Sequence, residues 1–406
     1  MLKIPLKKSW LLNKTKMLTI YLAIFGPKLT LLLDLTYLCS FFYAILGVKK
    51  ILESSKYIYS KLFIFSSMYV AITILVLNLV REQGVPNLSM NLFKTSFLML
   101  AAVGIYTTLD AMQEKKIDIL NSMIKLSEVT ALTVILFFIF DDFRQLIFSN
   151  IQIFIYKDLT NFIDVERFSD VSIGGGAISV LFALTYLINH YVQKVDSINF
   201  NNKYLTPILM IIGALLTGRI GIILIFTIIF INNIKESPKR LFKIFLLTIS
   251  FILILDYLFT NGHFLDNKFF LWGFEPYLNY LKDGSFISAS STLAITQFRF
   301  MDNFFDILFG IGSLKDGKGV MDSLFIQIIT SSGLIVFMLF LVNYFVYSGF
   351  LFSKSRLNSY YLALFFFIVT ITNLKDEYYG DSRGAFTFLS ICIIFLTKVR
   401  YTKNYV

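Results

Sequence analysis

The chain has 406 residues, of which 56% are hydrophobic and only 16% are charged. A water-soluble protein of this size cannot hide so much apolar side chain, so lipid must cover the surplus. The net charge of +11 would suggest a nucleic-acid partner in a soluble protein. Here most Lys and Arg lie between apolar stretches, as in the cytoplasmic loops of membrane proteins, and nucleic acid is excluded.

The apolar stretches are about 17–25 residues long, which is the length that a helix needs to cross a bilayer core of ~30 Å. Residues 241–259 and 334–352 are apolar on every face, unlike the alternating strands of a membrane β-barrel. The sequence therefore predicts an all-α, polytopic integral membrane protein with a single transmembrane domain, 1–406. Cys39 and Cys392 lie in apolar stretches and the chain has 2 His, so no Cys/His metal site is predicted.

Basic clusters between the apolar stretches set the predicted topology, because cationic loops stay in the cytoplasm. The clusters occupy 3–16, 49–56, 115–116, 194–203, 235–243, 354–356 and 398–403. The predicted crossings are two within 17–48, then 58–80, 92–111, 122–140 and 174–192, two within 205–234, then 241–259, one within 321–352, and finally 360–374 and 384–397. About 12 transmembrane helices result, with both termini cytoplasmic.

Two long loops are predicted on the outer side, at 141–173 and 260–320. The first is acidic, which suits the far side of the membrane. The stretch 205–234 has basic flanks at both ends and Arg219 in its middle. It is therefore predicted to be a hairpin with two short arms of about 22 Å each, so that its tip dips below the headgroups.

Arg219 is the first candidate for chemistry. It follows Gly218 and precedes Gly221, and these small residues leave space around its guanidinium. An Arg at membrane depth is costly unless it lines a polar cavity or meets an anion, and its planar donors suit phosphate oxygens. The alternative is an Arg at a helix end that reaches up to the water.

The second candidate cluster lies around the end of the 260–320 loop. Arg299 precedes a Phe-Gly-Ile-Gly stretch with Gly310 and Gly312, and Asp322 then opens an apolar helix. The two glycines permit a tight approach of the chain to the bilayer. Asp322 is a candidate catalytic carboxylate, with helix N-capping as the alternative.

Two further outer segments carry arginines. Arg167 precedes Gly174, Gly175 and Gly176 at the start of a returning helix. The three glycines indicate either a close contact with a backbone or ligand, or a flexible loop end, and the two are equally compatible with the sequence. The outer turn 375–383 is dense in charge and ends on Arg383. Most charged outer turns of this kind are simply solvated. Arg383 is the residue of this turn that is a candidate for substrate binding.

The order of these features resembles the O-antigen polymerase family and its relative, the O-antigen ligase family. The resemblance rests on an Arg before a small-residue helix start, a Gly-Arg-Gly-like turn, a long outer loop with an Arg and a Phe-Gly-Ile-Gly stretch, and a polar residue that opens the next helix with a Gly about ten residues later. In this sequence the features are Arg167 with 174–176, 218–221, Arg299 with 309–312, and Asp322 with Gly333.

The resemblance implies a GT-C-like glycosyltransferase of the bacterial inner membrane that needs no metal or other cofactor. Its substrates would be oligosaccharides linked to undecaprenyl pyrophosphate, and a chain-length regulator is a possible partner. Arg219 and Arg299 would stabilise the pyrophosphate, and Asp322 would serve as the base. Arg167, Gly310, Gly312 and Arg383 would bind substrate.

Two alternatives stay open at the sequence level. Ligases of this kind usually carry His at the position of Asp322, so the Asp favours a polymerase over an O-antigen ligase. A flippase or exporter of the same lipid-linked sugar should distribute charges through many helices, often in repeated halves. The charges of this chain concentrate on one side of the membrane.

Overall fold

The structure, a computed structural model, describes residues 6–25, 35–54, 57–80, 87–111, 116–140, 142–143, 146, 175–195, 204–236, 249–250, 253, 257, 275–285, 303–311, 324–351, 356–375 and 384–396. The helices in these residues are α1 Leu6–Phe25, α2 Leu35–Glu53, α3 Ile58–Val80, α4 Asn87–Ala111, α5 Lys116–Ile139, α6 Gly175–Val195, α7 Leu205–Thr217, α8 Arg219–Glu236, α9 Glu275–Asp283, α10 Phe304–Phe309, α11 Leu324–Leu351, α12 Arg356–Lys375 and α13 Gly384–Leu396.

The described part of the chain is all-helical and contains no strand. Five of its helices are long and apolar enough to cross a membrane, and they lie within α2, α3, α4, α5 and α11. This architecture confirms the predicted class of helical membrane protein. Most of the predicted crossing 241–259 lies outside the described residues, although 249–250, 253 and 257 are helical.

The first two helices form an antiparallel pair. Ser40 Oγ on α2 donates to the Ala23 carbonyl oxygen at 3.2 Å, and Thr19 Oγ1 lies 2.7 Å from the Tyr43 hydroxyl. The later residue of α2 thus meets the earlier residue of α1, as in a hairpin. This confirms the two helices predicted within 17–48, and the predicted break at Gly26-Pro27 lies outside the described residues.

Helices α2 and α4 are in direct backbone contact at two glycines. A Cβ on Gly47 would lie 1.9 Å from the Leu100 carbonyl oxygen, and one on Gly104 would lie 1.9 Å from the Tyr43 carbonyl oxygen. Small residues at such crossings let membrane helices approach closely enough for strong van der Waals packing. The two glycines therefore set the spacing of this pair.

Helix α6 is the centre of the second half of the molecule. Its side chains from Ile178 to Thr185 are buried, and it contacts α5, α7, α8 and α12. By contrast, α3 exposes large apolar side chains such as Phe65, Ile72 and Leu79, the pattern expected of a helix that faces lipid. In this half of the protein the helices thus pack around a buried α6.

Helices α7 and α8 form the predicted hairpin with its turn at Gly218. Gly213 packs against Phe182 and Gly221 against Ser179, both near the start of α6. At the other end, Asn232 accepts a hydrogen bond from Tyr360 at 2.5 Å. Its neighbour Tyr361 bonds His190 near the end of α6, at 2.5 Å. The chain therefore ascends along α6, turns at Gly218 and descends again.

The two arms of this hairpin are unequal, in contrast to the prediction of equal arms. Helix α7 has 13 residues and α8 has 18, or about 20 and 27 Å. The short arm begins part-way along α6. Its Thr206 donates to Glu128 on α5. The preceding residue of α5, Ser127, accepts from Thr185 in the middle of α6. The long arm thus comes close to the ~30 Å thickness of a bilayer core and the short arm does not, and the depth of the tip at Arg219 in the membrane stays a prediction.

We predict that Gly47→Ala and Gly104→Ala each lower the free energy of unfolding by about 1–3 kcal/mol, because the added methyl group must push two backbones apart. The measurement is thermal or denaturant unfolding of purified protein in detergent. Ala111→Val on α4 is the matched control, since Ala111 is exposed and the change there should stay within about 0.5 kcal/mol. Equal stability of all three variants would contradict the backbone contact.

Candidate functional site

The tip of the α7–α8 hairpin carries an ion pair with the segment predicted to be the long outer loop. Arg219, the first residue of α8, donates from Nη1 to Glu275 Oε2 at 3.0 Å, and the two side chains are 15% and 24% exposed. Glu275 is the first residue of α9, within the loop predicted at 260–320. The structure thus ties two segments that are 56 residues apart in sequence.

The backbone around Arg219 is packed against the glycine-rich start of α6. A Cβ on Gly221 would lie 2.2 Å from the Ser179 carbonyl oxygen, so only glycine permits this approach. Gly175 and Gly176 form the first turn of α6, close in sequence to that contact. Two features that were singled out separately in the sequence, the Gly-Arg-Gly-like turn and the glycine-rich helix start, therefore belong to one place in the fold.

Helix α9 begins with Glu275 and Pro276. Proline is well suited to the first turn of a helix, where its missing N–H is not needed, and a carboxylate there favourably meets the positive end of the helix dipole. Its early residues, such as Leu278, are half-buried, and Leu281 and Lys282 are exposed. The helix therefore lies with one end against the protein and holds the Glu275 carboxylate at the guanidinium.

A second junction joins the end of the long loop to α11. Gly310 has φ +75° and Gly333 has φ +82°, a region that side chains other than glycine rarely adopt. A Cβ on Gly310 would lie 2.4 Å from the Ser331 carbonyl oxygen, and one on Gly333 would lie 2.2 Å from the Leu308 carbonyl oxygen. Gly333 also kinks α11. The two glycines of the family-like pattern thus touch each other across this junction.

The structure describes two of the seven predicted site residues, Arg219 and Gly310. The other five, Arg167, Arg299, Gly312, Asp322 and Arg383, lie outside the described residues. Their convergence with Arg219 stays a prediction. Among the described residues, no group of three or more His, Cys, Asp or Glu side chains lies together in a way that could hold a metal ion.

Sequence reasoning missed Glu275 as the partner of Arg219. It was one of several charges in a segment expected to be wet, where any charge is tolerated. The available signal was local, since Glu followed by Pro is a common helix start. The sequence contains no measure of distance between that start and a hairpin tip 56 residues away.

The histidine at the inner end of α6 was assigned no role from the sequence, yet it belongs to a polar network. His190 Nδ1 lies 2.5 Å from the Tyr361 hydroxyl, and Tyr191 donates to Asn358 Oδ1 at 3.2 Å. Asn358 in turn donates to the Ile394 carbonyl oxygen at 3.0 Å. The network ties α6, α12 and α13 at the end opposite to Arg219, so it holds helices together away from the candidate site.

The fold and the ion pair together define a helical membrane protein with a charged, partly buried site at one end of its helices. A guanidinium held in place by a carboxylate is preorganised to bind an anionic group that can replace or join that carboxylate. No protein-family model, curated protein or solved structure matches the chain.

We predict that Arg219→Gln and Glu275→Gln each destabilise the protein by about 1–3 kcal/mol, because each leaves the other charge partly buried without its partner. The double variant should recover much of this loss. Unfolding of the purified protein in detergent, measured for all four forms, gives the coupling energy.

The exposed pair of Lys49 and Glu53 is the control for this cycle. Its atoms lie 3.9 Å apart and its side chains are 71% and 49% exposed, so its coupling energy should not exceed about 0.5 kcal/mol. A coupling energy between Arg219 and Glu275 no larger than that of the control would contradict a structural role for the buried pair.

Proposed function

We propose that the protein is a polymerase of lipid-linked oligosaccharide repeat units, of the O-antigen polymerase type, in the bacterial inner membrane. The observation that carries the proposal is the Arg219–Glu275 pair at a hairpin tip packed on a glycine-rich helix start. An arginine at this depth is well suited to the pyrophosphate of a lipid-linked donor, which lies at the same level of the bilayer. The order of sequence motifs described above supports the same family.

In this proposal Glu275 holds Arg219 in place until the donor arrives. A phosphate oxygen and a carboxylate oxygen accept hydrogen bonds from a guanidinium in the same way. The pyrophosphate therefore replaces Glu275 as the acceptor of the hydrogen bond from the Arg219 guanidinium. The exchange keeps a carboxylate on this partly buried arginine until the donor arrives. It also makes the site selective for ligands with enough negative charge to compete with a carboxylate.

The reaction transfers the growing glycan to the next lipid-linked unit. The bond between the anomeric carbon of the donor glycan and the pyrophosphate oxygen breaks, and a bond from the acceptor hydroxyl oxygen to that carbon forms. Asp322 takes the hydroxyl proton as general base. Arg219 and Arg299 stabilise the charge that develops on the departing undecaprenyl pyrophosphate.

The remaining predicted residues bind substrate around this centre. Arg167 and Arg383 add positive charge for the lipid-linked substrate, Gly312 lets the chain approach it closely, and Gly310 holds the loop against α11 beside it. The proposed architecture is GT-C-like with 12 crossings, both termini in the cytoplasm, and the chemistry on the outer face. No metal or other cofactor takes part, and a chain-length regulator is a proposed partner.

The proposed topology makes a direct prediction about reporter fusions. Fusions in the inner segments should report cytoplasm, and those in the outer segments should report the far side, because the basic clusters keep their loops inside. The inner positions are Lys50, Lys116, Lys203, Lys239, Lys354 and Val406, and the outer positions are Asp158, Gly284 and Tyr379. A cytoplasmic signal from Gly284, which directly follows α9, would place Glu275 and Arg219 on the wrong side for this function.

The decisive experiment is the surface polysaccharide of a deletion strain complemented with variants. The deletion should leave a single repeat unit on the lipid core, and a bare core would instead indicate a ligase or flippase. Arg219→Lys retains the charge and the pairing with Glu275 but loses the planar fork. We expect it to form at least about tenfold less polymer, the effect of losing ~1.4 kcal/mol of transition-state stabilisation.

Arg356→Lys is the matched control, because Arg356 opens α12 next to a cluster predicted to be cytoplasmic. This variant should restore wild-type polymer. All variants are compared at equal abundance in the membrane. Full-length polymer from Arg219→Lys would contradict the role of Arg219 at the pyrophosphate.

A further inference from the structure

Helix α10 presents its aromatic side chains outward. Phe304, Phe305 and Phe309 are 67%, 68% and 50% exposed. Three exposed phenylalanines in a helix of 6 residues form a dense apolar surface, and such surfaces mark sites of contact with protein or membrane. The sequence placed this segment in a loop expected to be wet.

The backbone of this segment is locked to the kink of α11. The Gly310 N–H caps α10 by donating to the Asp306 carbonyl oxygen at 2.8 Å, and the next N–H, of Ile311, donates to the Thr330 carbonyl oxygen at 2.9 Å. In an unbroken helix the Thr330 carbonyl would accept from residue 334. The loop thus satisfies a carbonyl at the break, and Gly310 packs directly against the backbone at Gly333.

The length of α11 sets the level of this junction. From the kink at Gly333 to its end at Leu351, α11 is about 27 Å long, close to the ~30 Å thickness of a bilayer core. Lys354 and Arg356 follow, and they fix that end at the opposite headgroups. In the topology proposed above, on which this step rests, the kink and α10 with it therefore lie at the outer boundary of the hydrocarbon.

The surface of α11 changes at the same level. Before Gly333 its side chains are buried or half-buried, as for Leu324 and Ile328. Directly after it, Leu334, Ile335 and Met338 become exposed, as on a helix that faces lipid. The exposed phenylalanines of α10 thus lie next to the point at which α11 begins to expose apolar side chains.

We propose that α10 is an interfacial membrane helix whose phenylalanines Phe304, Phe305 and Phe309 insert into the outer leaflet at the boundary between headgroups and acyl chains. The occupant of this surface is lipid, because its level in the proposed topology, its junction with α11 where that helix begins to expose apolar side chains, and its aromatic composition all match the interface. The inference concerns the anchoring of the long loop and does not depend on the proposed reaction.

The test places a single tryptophan at position 305 and measures quenching by brominated lipids. The two natural tryptophans are replaced by Trp10→Phe and Trp272→Phe, and Phe305→Trp is added to this full-length chain. The protein is reconstituted in vesicles of phosphatidylethanolamine and phosphatidylglycerol. One set carries bromine near the headgroup end of the acyl chain and a second set near the methyl end.

A matched probe for the bilayer interior is Val342→Trp in the same background. Val342 is exposed on α11 and lies about 14 Å beyond the kink at the rise of an α-helix. We expect the Phe305→Trp variant to be quenched more strongly by the shallow bromine than by the deep one, and the Val342→Trp variant to show the reverse order. Monodisperse elution and correct quenching of Val342→Trp establish that the chain is folded and inserted.

Two other results would each overturn the proposal. Quenching of the Phe305→Trp variant by aqueous iodide, without quenching by either bromolipid, would place α10 in water. Protection from iodide and from both bromolipids would mean that protein, such as a second copy of the chain, covers the phenylalanines.

Discussion

Lipid offers no hydrogen-bond partner to a polypeptide backbone, and this constrains every segment of the chain that enters the membrane. Within a helix the backbone groups hydrogen-bond to one another, so only the breaks in the helices need another source of partners. At Gly218 the backbone N–H donates to the Ala214 carbonyl oxygen at 3.0 Å, which closes the end of α7. At the kink in α11 the Thr330 carbonyl is satisfied by Ile311, from a loop outside the helix. Both breaks are thus stabilised rather than open, and each is where the outer loop or its ion pair meets the helices.

Glycine at these breaks acts through contact as well as through conformation. Gly221 lets α8 touch the Ser179 carbonyl on α6, and Gly310 and Gly333 let two backbones meet. Backbone contacts at glycine also join α2 and α4, through Gly47 and Gly104, and these helices are not part of the candidate site. A glycine contact therefore indicates close packing, and only its combination with a charged or polar group, as at Arg219, distinguishes a site from a helix crossing.

The helices were largely predictable from the sequence, because apolar length and basic flanks are local properties of the chain. The prediction of 58–80 coincides with α3, and the turn at Gly218 was placed correctly between two helices. The unequal arms of that hairpin were not predictable, since they follow from where Thr206 meets Glu128 on another helix. Glu275 was missed for the same reason. Spacing along a chain identifies candidates such as Arg219, but the partner of a charge is set by tertiary packing.

The two breaks also lie at similar distances from the ends of their helices. Helix α8 runs 18 residues from Arg219 to Glu236, and the part of α11 beyond Gly333 ends at Leu351, so each break lies about 27 Å from the inner end of its helix. Basic residues follow both inner ends, at Lys239 and Lys354, and hold those ends at one headgroup layer. In the proposed topology, the guanidinium of Arg219 and the glycine junction therefore belong to the same outer layer of the protein. The proposed pyrophosphate site lies in that layer, and the proposed anchoring of α10 holds the loop beside it.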